Sequence, residues 1–179
     1  MNDRLPAALR LYRLMSAAAG PFTPLLLAAR RRRGKENGPR LAERRGVTPV
    51  ARPRGPLVWL HAASVGELIS VLPLIERIAG RDVRVLVTTG TVTSSEVAAQ
   101  RLPPGSFHQF APLDVPRYVR RFLDHWQPDL ALFVESDLWP NRLIEAARRR
   151  VPMILINGRL SKRSYERWRK LPRATCACW

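Results

Sequence analysis

A chain of 179 residues, 46% apolar and 25% charged, has the composition of one globular domain with a real core, which excludes a disordered or fibrous protein. Lys and Arg number 31 against 14 Asp and Glu, and the net charge of +17 calls for an anionic partner, either a nucleic-acid backbone or a membrane surface. The only cysteines, Cys176 and Cys178, lie two apart near the C-terminus; they support neither a disulfide framework nor a metal site and are compatible with a reducing, cytoplasmic location.

The positive charge is concentrated at the start of the chain. Residues 1–56 hold 13 basic and 3 acidic residues, whereas residues 57–179 hold 18 and 11. In an arm of residues 1–33, the apolar segment Ala17–Ala29 contains Phe22, Leu25, Leu26 and Leu27, is broken by Pro21 and Pro24, and runs into Arg30-Arg31-Arg32-Arg33. Its 13 residues fall short of the roughly 20 that span a bilayer, so it reads as an interfacial anchor followed by a polybasic patch. A secretory signal does not fit, because its charge should precede the apolar stretch. The alternative is an ordinary amphipathic helix packed on the domain. Specific nucleic-acid binding lacks support, since no aromatic residues interleave with the basic ones in a stacking motif.

Residues 34–56, rich in Gly, Pro and charge, read as a connector with one helical turn around Leu41–Arg45. Beyond them apolar strands are expected at Leu57–Leu60, Val83–Thr88, Phe107–Phe110, Leu130–Val134 and Met153–Ile156, with helices at Val65–Ala79, Thr93–Arg101, Val115–Trp126 and Trp139–Arg150. In the third of these helices Val119, Phe122, Leu123 and Trp126 share one face, away from Arg117, Arg120, Arg121 and Asp124. Strands alternating with helices at this spacing predict an α/β fold with a doubly wound parallel sheet. No Gly-x-Gly-x-x-Gly or Walker loop follows the first strand, which removes the main support for a dinucleotide or NTP site.

In such a sheet ligands bind beyond the carboxyl ends of the strands. The first strand leads into His61, Ser64, Gly66 and Glu67, and the second into Thr88, Thr89, Gly90, Thr91 and Thr93. The fourth is followed by Glu135, Ser136 and Asp137, and the fifth by Asn157, Gly158, Arg159 and Ser161. Glu67 falls in a first helical turn, where the macrodipole favours an ionised carboxylate; it is either a proton acceptor or a plain dipole partner. With strand order 3-2-1-4-5, Glu67 and Glu135 face one crevice, and two carboxylates with an arginine and several hydroxyls suit a sugar hydroxyl. Ser64, Thr91, Thr93, Asp137 and Ser161 also fit helix N-caps, Arg159 a pairing with Glu135, and His61 a satisfied loop histidine.

The motifs Arg33-Gly34-Lys35-Glu36 with Glu43-Arg44, Trp59 to Glu67, Val87-Thr88-Thr89-Gly90-Thr91 with Ser95-Glu96, Pro112-Leu113-Asp114, Glu135 to Asn141 and Asn157 to Ser161 resemble, in this order, the N-terminal half of the bacterial 3-deoxy-D-manno-octulosonic acid (Kdo) transferases of lipopolysaccharide assembly. The resemblance covers roughly residues 1–172. It implies a Rossmann-like domain of a GT-B glycosyltransferase that receives the lipid A precursor, with Kdo transferred from CMP-Kdo, no bound cofactor or catalytic metal, and a location on the cytoplasmic face of the inner membrane. It assigns Glu67 as general base and Glu135 as a second acidic position in the cleft; His61, Ser64, Gly66, Thr88, Thr89, Gly90, Thr91, Asp137, Asn157 and Arg159 are expected around the acceptor from their places at the strand ends. Ser136-Asp137 depart from the family's usual Thr-Glu. After Pro172 the text changes to Arg173-Ala174-Thr175-Cys176-Ala177-Cys178-Trp179, unlike the family, so residues 57–172 are expected to be the acceptor-binding domain, 173–179 an aberrant tail and the donor-binding domain missing. A chain of that kind is expected to be inactive alone; the alternative is a non-catalytic membrane-surface module that binds lipid A precursors.

Overall fold

The computed structural model describes residues 5–135 and 138–158. Helices α1 (Ala7–Ala19) and α2 (Thr23–Arg32) come first, joined by a 3-10 turn at Gly20–Phe22; two further 3-10 turns, Gly38–Arg40 and Glu43–Arg45, follow. The chain then alternates β1 (Leu57–His61), α3 (Val65–Ala79), β2 (Arg84–Thr89), α4 (Val92–Arg101), β3 (Ser106–Phe110), α5 (Pro116–Trp126), β4 (Leu130–Val134), α6 (Pro140–Arg148) and β5 (Met153–Ile156). These elements match the expected ones within about two residues, the shifts lying at the ends of strands and helices. Every strand pair is parallel and the order is β3-β2-β1-β4-β5. The topological switch point therefore lies between β1 and β4, with His61 paired to Phe133.

The pleat sends alternate side chains to opposite faces and builds two cores. Trp59, Leu86, Ala131 and Phe133 pack with Val119, Phe122, Leu123 and Trp126 of α5 and with Leu143, Ile144 and Ala146 of α6. On the other face Val58, Leu60, Val85, Val87, Leu132 and Val134 meet Leu68, Val71, Leu72 and Ile75 of α3 and Ala98 of α4. Trp59 contacts Phe122 and Phe133 at ring-centroid distances of 5.0 and 5.2 Å. A residue of this size, fully buried between two aromatic partners, makes β1 the best anchored strand of the sheet.

The N-terminal arm is packed on one side and open on the other. One face of α1 packs on the domain: Leu9 is buried, Tyr12 donates to Asp114 at 2.8 Å, and Arg13 pairs with the buried Glu145 at 2.7 Å. Burial beside that carboxylate pushes the Tyr12 phenol well above its ordinary value. The opposite face exposes Leu11, Leu14 and Met15, and the following turn and α2 expose Phe22, Leu25 and Leu26, with 70% of Phe22 and 74% of Leu25 open to solvent. Among the described residues no helix is long and apolar enough to cross a membrane.

Residues 34–56 do more than connect. Glu36, Glu43 and Arg44 are all buried and strap the edge of the sheet at β3. Glu43 takes Arg40 at 2.7 Å and accepts the Phe110 amide N–H at 2.7 Å. The strap closes at Gly46, whose left-handed φ of 71° is open to glycine, and where a Cβ would sit 2.1 Å from the carbonyl oxygen of Tyr118. Backbone on α5 cannot yield as a side chain can. Gly46→Ala is therefore expected to cost about 3 kcal/mol, the sum of the left-handed penalty and overpacking, measured as a shift of the urea midpoint at unchanged slope.

Candidate functional site

The first turn of α3 is closed by a reciprocal cap. The Ser64 hydroxyl accepts the Glu67 amide N–H at 3.2 Å and donates to one Glu67 carboxylate oxygen at 2.9 Å; the other oxygen, Oε2, accepts the Ala63 amide N–H at 2.8 Å. This is a variant of the Ser-x-x-Glu capping box, in which the glutamate reaches the N–H of the residue before the cap. It fixes the Glu67 carboxylate at the carboxyl end of β1 and engages each oxygen once, leaving lone pairs for a ligand hydroxyl. Glu67 is half-buried, and Gly66 beside it has open space where a Cβ would stand.

The loop after β2 is brought onto this turn. Gly90 donates its N–H to Ala63 O at 3.2 Å, and a Cβ on Gly90 would stand 3.0 Å from that oxygen, so only glycine approaches without displacing backbone. The Gly90 carbonyl in turn accepts from Arg44 Nη2 at 2.7 Å. Arg44 also donates to Ala111 O at 3.2 Å and to Glu36 at 2.8 Å, while Glu36 holds Arg30 at 2.7 Å. One buried guanidinium thus ties the ends of β2 and β3 to the N-terminal segment.

His61 ends β1 fully buried. Its Nε2 lies 2.7 Å from Arg142 Nη1; a guanidinium only donates, so Nε2 accepts and the ring proton sits on Nδ1. From there it donates to Thr88 Oγ1 at 2.9 Å, which also accepts Trp59 Nε1–H at 2.8 Å. His108 on β3 shows the same logic: Arg40 donates to its Nδ1 at 3.0 Å, and its Nε2–H reaches Thr89 Oγ1 at 2.9 Å. Burial, with Arg40 and Arg44 adding to it, lowers the His108 pKa to about 3. Asp114, after β3, caps α6 from another element by accepting the N–H groups of Asn141 and Arg142, both at 3.1 Å.

The predicted site residues therefore separate into two groups. Glu67, Ser64, Gly66, Gly90, Thr91, Glu135 and Asn157 stand at the strand ends with at least part of their surface open. Thr88 and Thr89 are fully buried with hydroxyls committed to His61, Trp59 and His108; contrary to expectation they support the crevice and do not line it. Thr91 is the N-cap of α4, accepting Ser94 N–H at 3.1 Å, and His61 is a satisfied strand residue that borders a cavity. That cavity, of about 290 Å³, is lined by His61, Gly90, Asp114, Arg142, Arg44 and Arg30, among others. Glu135 and Asn157 end β4 and β5 in the left-handed region, with φ of 58° and 51°. A non-glycine residue there costs about 1 kcal/mol, and such strain gathers at working sites. Asn157 reaches Ser70 Oγ at 3.4 Å, one turn beyond Glu67 on α3. Asp137, Arg159 and Ser161 lie outside the described residues. Arg44, Glu36, Asp114 and Arg142 escaped the reading of strand ends; charges inside a Gly- and Pro-rich stretch were the available signal for the first two.

A parallel sheet with this order is a Rossmann-like domain, and a capped carboxylate and two left-handed polar residues stand beyond the carboxyl ends of its strands. Residues 39–178 match the family model described as 3-deoxy-D-manno-octulosonic-acid transferase (kdotransferase), and the chain belongs to that family. The probable mitochondrial 3-deoxy-D-manno-octulosonic acid transferase of Arabidopsis thaliana is 41% identical over 161 residues, 89% of this chain and 36% of that protein. The transferase of Rickettsia bellii is 37% identical, covering 90% of this chain and 39% of its own length; that of Haemophilus influenzae is 36% identical, with 78% and 34% covered. The chain spans well under half the length of these curated relatives.

Two measurements probe this architecture. Glu36→Ala strands Arg44 as a buried unneutralised charge and is expected to cost about 3–5 kcal/mol of stability, read by chemical denaturation. As pH falls below 6.5 the unfolded chain takes up a proton that folded His108 refuses. Its contribution to stability is therefore complete above pH 6.5 and is lost between there and about pH 3, at up to about 1.4 kcal/mol per pH unit. NMR of the His108 ring should show the neutral Nε2–H tautomer at pH 5, and His108→Gln should flatten the acid limb of the stability curve.

Proposed function

We propose that this domain is the acceptor-binding half of a Kdo transferase, receiving a lipid A precursor beside Glu67 while a second, donor-binding domain presents CMP-Kdo across a GT-B cleft. The observation that carries the reading is the Glu67 carboxylate, held by Ala63 N–H and the Ser64 hydroxyl at the carboxyl end of β1. In transfer, an acceptor sugar hydroxyl hydrogen-bonds to Glu67, loses its proton to the carboxylate, and its oxygen forms a bond to the anomeric carbon of Kdo. The bond from that carbon to the phosphate oxygen breaks and CMP leaves with the electron pair. A base of this kind contributes a factor of about 10²–10⁴.

Glu135 and Asn157, fixed by their backbone conformation at the neighbouring strand ends, hold other hydroxyls of the acceptor. The arm keeps the domain at the surface that contains this lipid, on the cytoplasmic face of the inner membrane: the exposed apolar side chains of α1 and α2 enter the interface and the following arginines meet anionic headgroups. The polar contacts of Tyr12, Arg13 and Ser16 to the domain bring the crevice along with the arm.

The test uses a full-length protein that carries this domain together with its donor-binding half. Glu67→Gln keeps the size of the side chain and one of the two capping acceptors, its amide NH2 being only a donor, and is expected to lower kcat at least 100-fold with little change in the melting temperature. Ser64→Ala removes the cap and is expected to cost about 1 kcal/mol of stability with a much smaller loss of rate. Full turnover by Glu67→Gln would overturn the general-base role.

A further inference from the structure

Between α2 and the strap lies a groove of about 550 Å³ that plays no part in the crevice. Pro24, Leu27, Ala28 and Leu41 form its apolar floor, and Arg31, Arg32 and Arg45 its cationic rim, and among the described residues no acidic one lines it. The neighbouring carboxylates are already engaged, Glu36 by Arg30 and Arg44 and Glu43 by Arg40. Among the described residues none forms an ion pair with Arg31, Arg32 or Arg45. All three are exposed. Arg31 is nonetheless placed, because its guanidinium lies over Gly38, where a Cβ would come within 3.2 Å of Nε.

The helical period relates this groove to the apolar surface of the arm. At about 100° per residue, positions 24, 27, 28 and 31 share one face of α2, whereas 25, 26 and 29 point to the opposite side, and Arg32 stands on the border between them. The exposed Leu25 and Leu26 thus lie across the helix from the groove floor, about one helix diameter of roughly 10 Å away. When those leucines sit among acyl chains, the rim lies at headgroup depth.

Resting on the reading of the arm as a membrane-docking element, we propose that this groove is a binding site for a membrane lipid whose headgroup ends in a phosphomonoester. Such a group carries up to two charges and three terminal oxygens, which suits several guanidinium forks converging without a competing carboxylate. A phosphodiester has fewer terminal oxygens and one charge. The apolar floor receives the first carbons beyond the phosphate. The site selects among anionic lipids, where the polybasic segment only accumulates at negative charge.

The experiment measures binding of the full chain to phosphatidylcholine vesicles that contain either phosphatidic acid, a monoester, or phosphatidylglycerol, a diester, at matched surface charge. Phosphatidic acid should bind several-fold tighter. Arg31→Ala with Arg45→Ala should abolish that preference and weaken binding to phosphatidic acid about tenfold. Arg77→Ala with Arg101→Ala, an equal loss of charge on exposed helix positions across the sheet, should leave the preference intact. Arg31→Lys with Arg45→Lys keeps the charge without the fork and should lose the preference while retaining general anionic binding. Equal effects of the groove and control pairs, no preference in the parent chain, or a preference that survives in the lysine pair would each overturn the site. If the parent chain prefers neither lipid but Leu25→Ser with Leu26→Ser still reduces vesicle binding, the groove fails and the docking arm stands. Absence of any vesicle binding removes both.

Discussion

The arrangement at the strand ends depends on one buried cation. Arg44 is 4% exposed, and each nitrogen of its guanidinium has an acceptor: Glu36, Ala111 O and Gly90 O, with the Phe110 ring 4.6 Å beneath. A charge withdrawn from water this far is tolerable only when neutralised and fully hydrogen-bonded. Those requirements dictate geometry: the Glu36 segment must lie where its carboxylate reaches Arg44, and the loops after β2 and β3 must offer carbonyls to the same fork. Gly90 is then held against Ala63, and Ala63 donates to Glu67. A contiguous set of hydrogen bonds thus runs from the N-terminal segment to the candidate base.

A second set of contacts fixes the other side of the crevice. Asp114 caps α6 and accepts from Tyr12 of α1, while Arg142, in the first turn of α6, reaches His61. A helix that exposes an apolar face to its surroundings is therefore attached by polar groups to the ends of β1 and β3. The apolar face is left open, and directional hydrogen bonds and ion pairs fix the arm on the domain.

Local pattern made much of this legible. Continuous apolar runs such as Leu130–Val134 identify strands buried on both faces, and the four-residue apolar stripe of α5 identifies a helix on a sheet. The Ser64 to Glu67 spacing is a capping signal that needs no tertiary context. Thr88 and Thr89 misled for a physical reason. A threonine at a strand end looks the same in sequence whether its hydroxyl meets a ligand or an indole, and here Trp59, His61 and His108 claim the two hydroxyls. Residues 34–56 misled because Gly and Pro mark irregular backbone without saying whether it is solvated or packed; the buried Glu36 and Arg44 become meaningful only when their partners across the chain are known.

By itself the sequence determined the alternation of elements, the parallel doubly wound class, the strand-end address of Glu67, Glu135 and Asn157, and the family resemblance, because each is written in short-range periodicity or contiguous motifs. Tertiary structure decided which residues at those ends are supports and which remain open, how the arm can be both packed and exposed, and that three arginines share a groove without a counter-ion among the described residues. Those properties depend on which distant side chains meet and on what each meeting leaves to water, and chain order does not encode such distances.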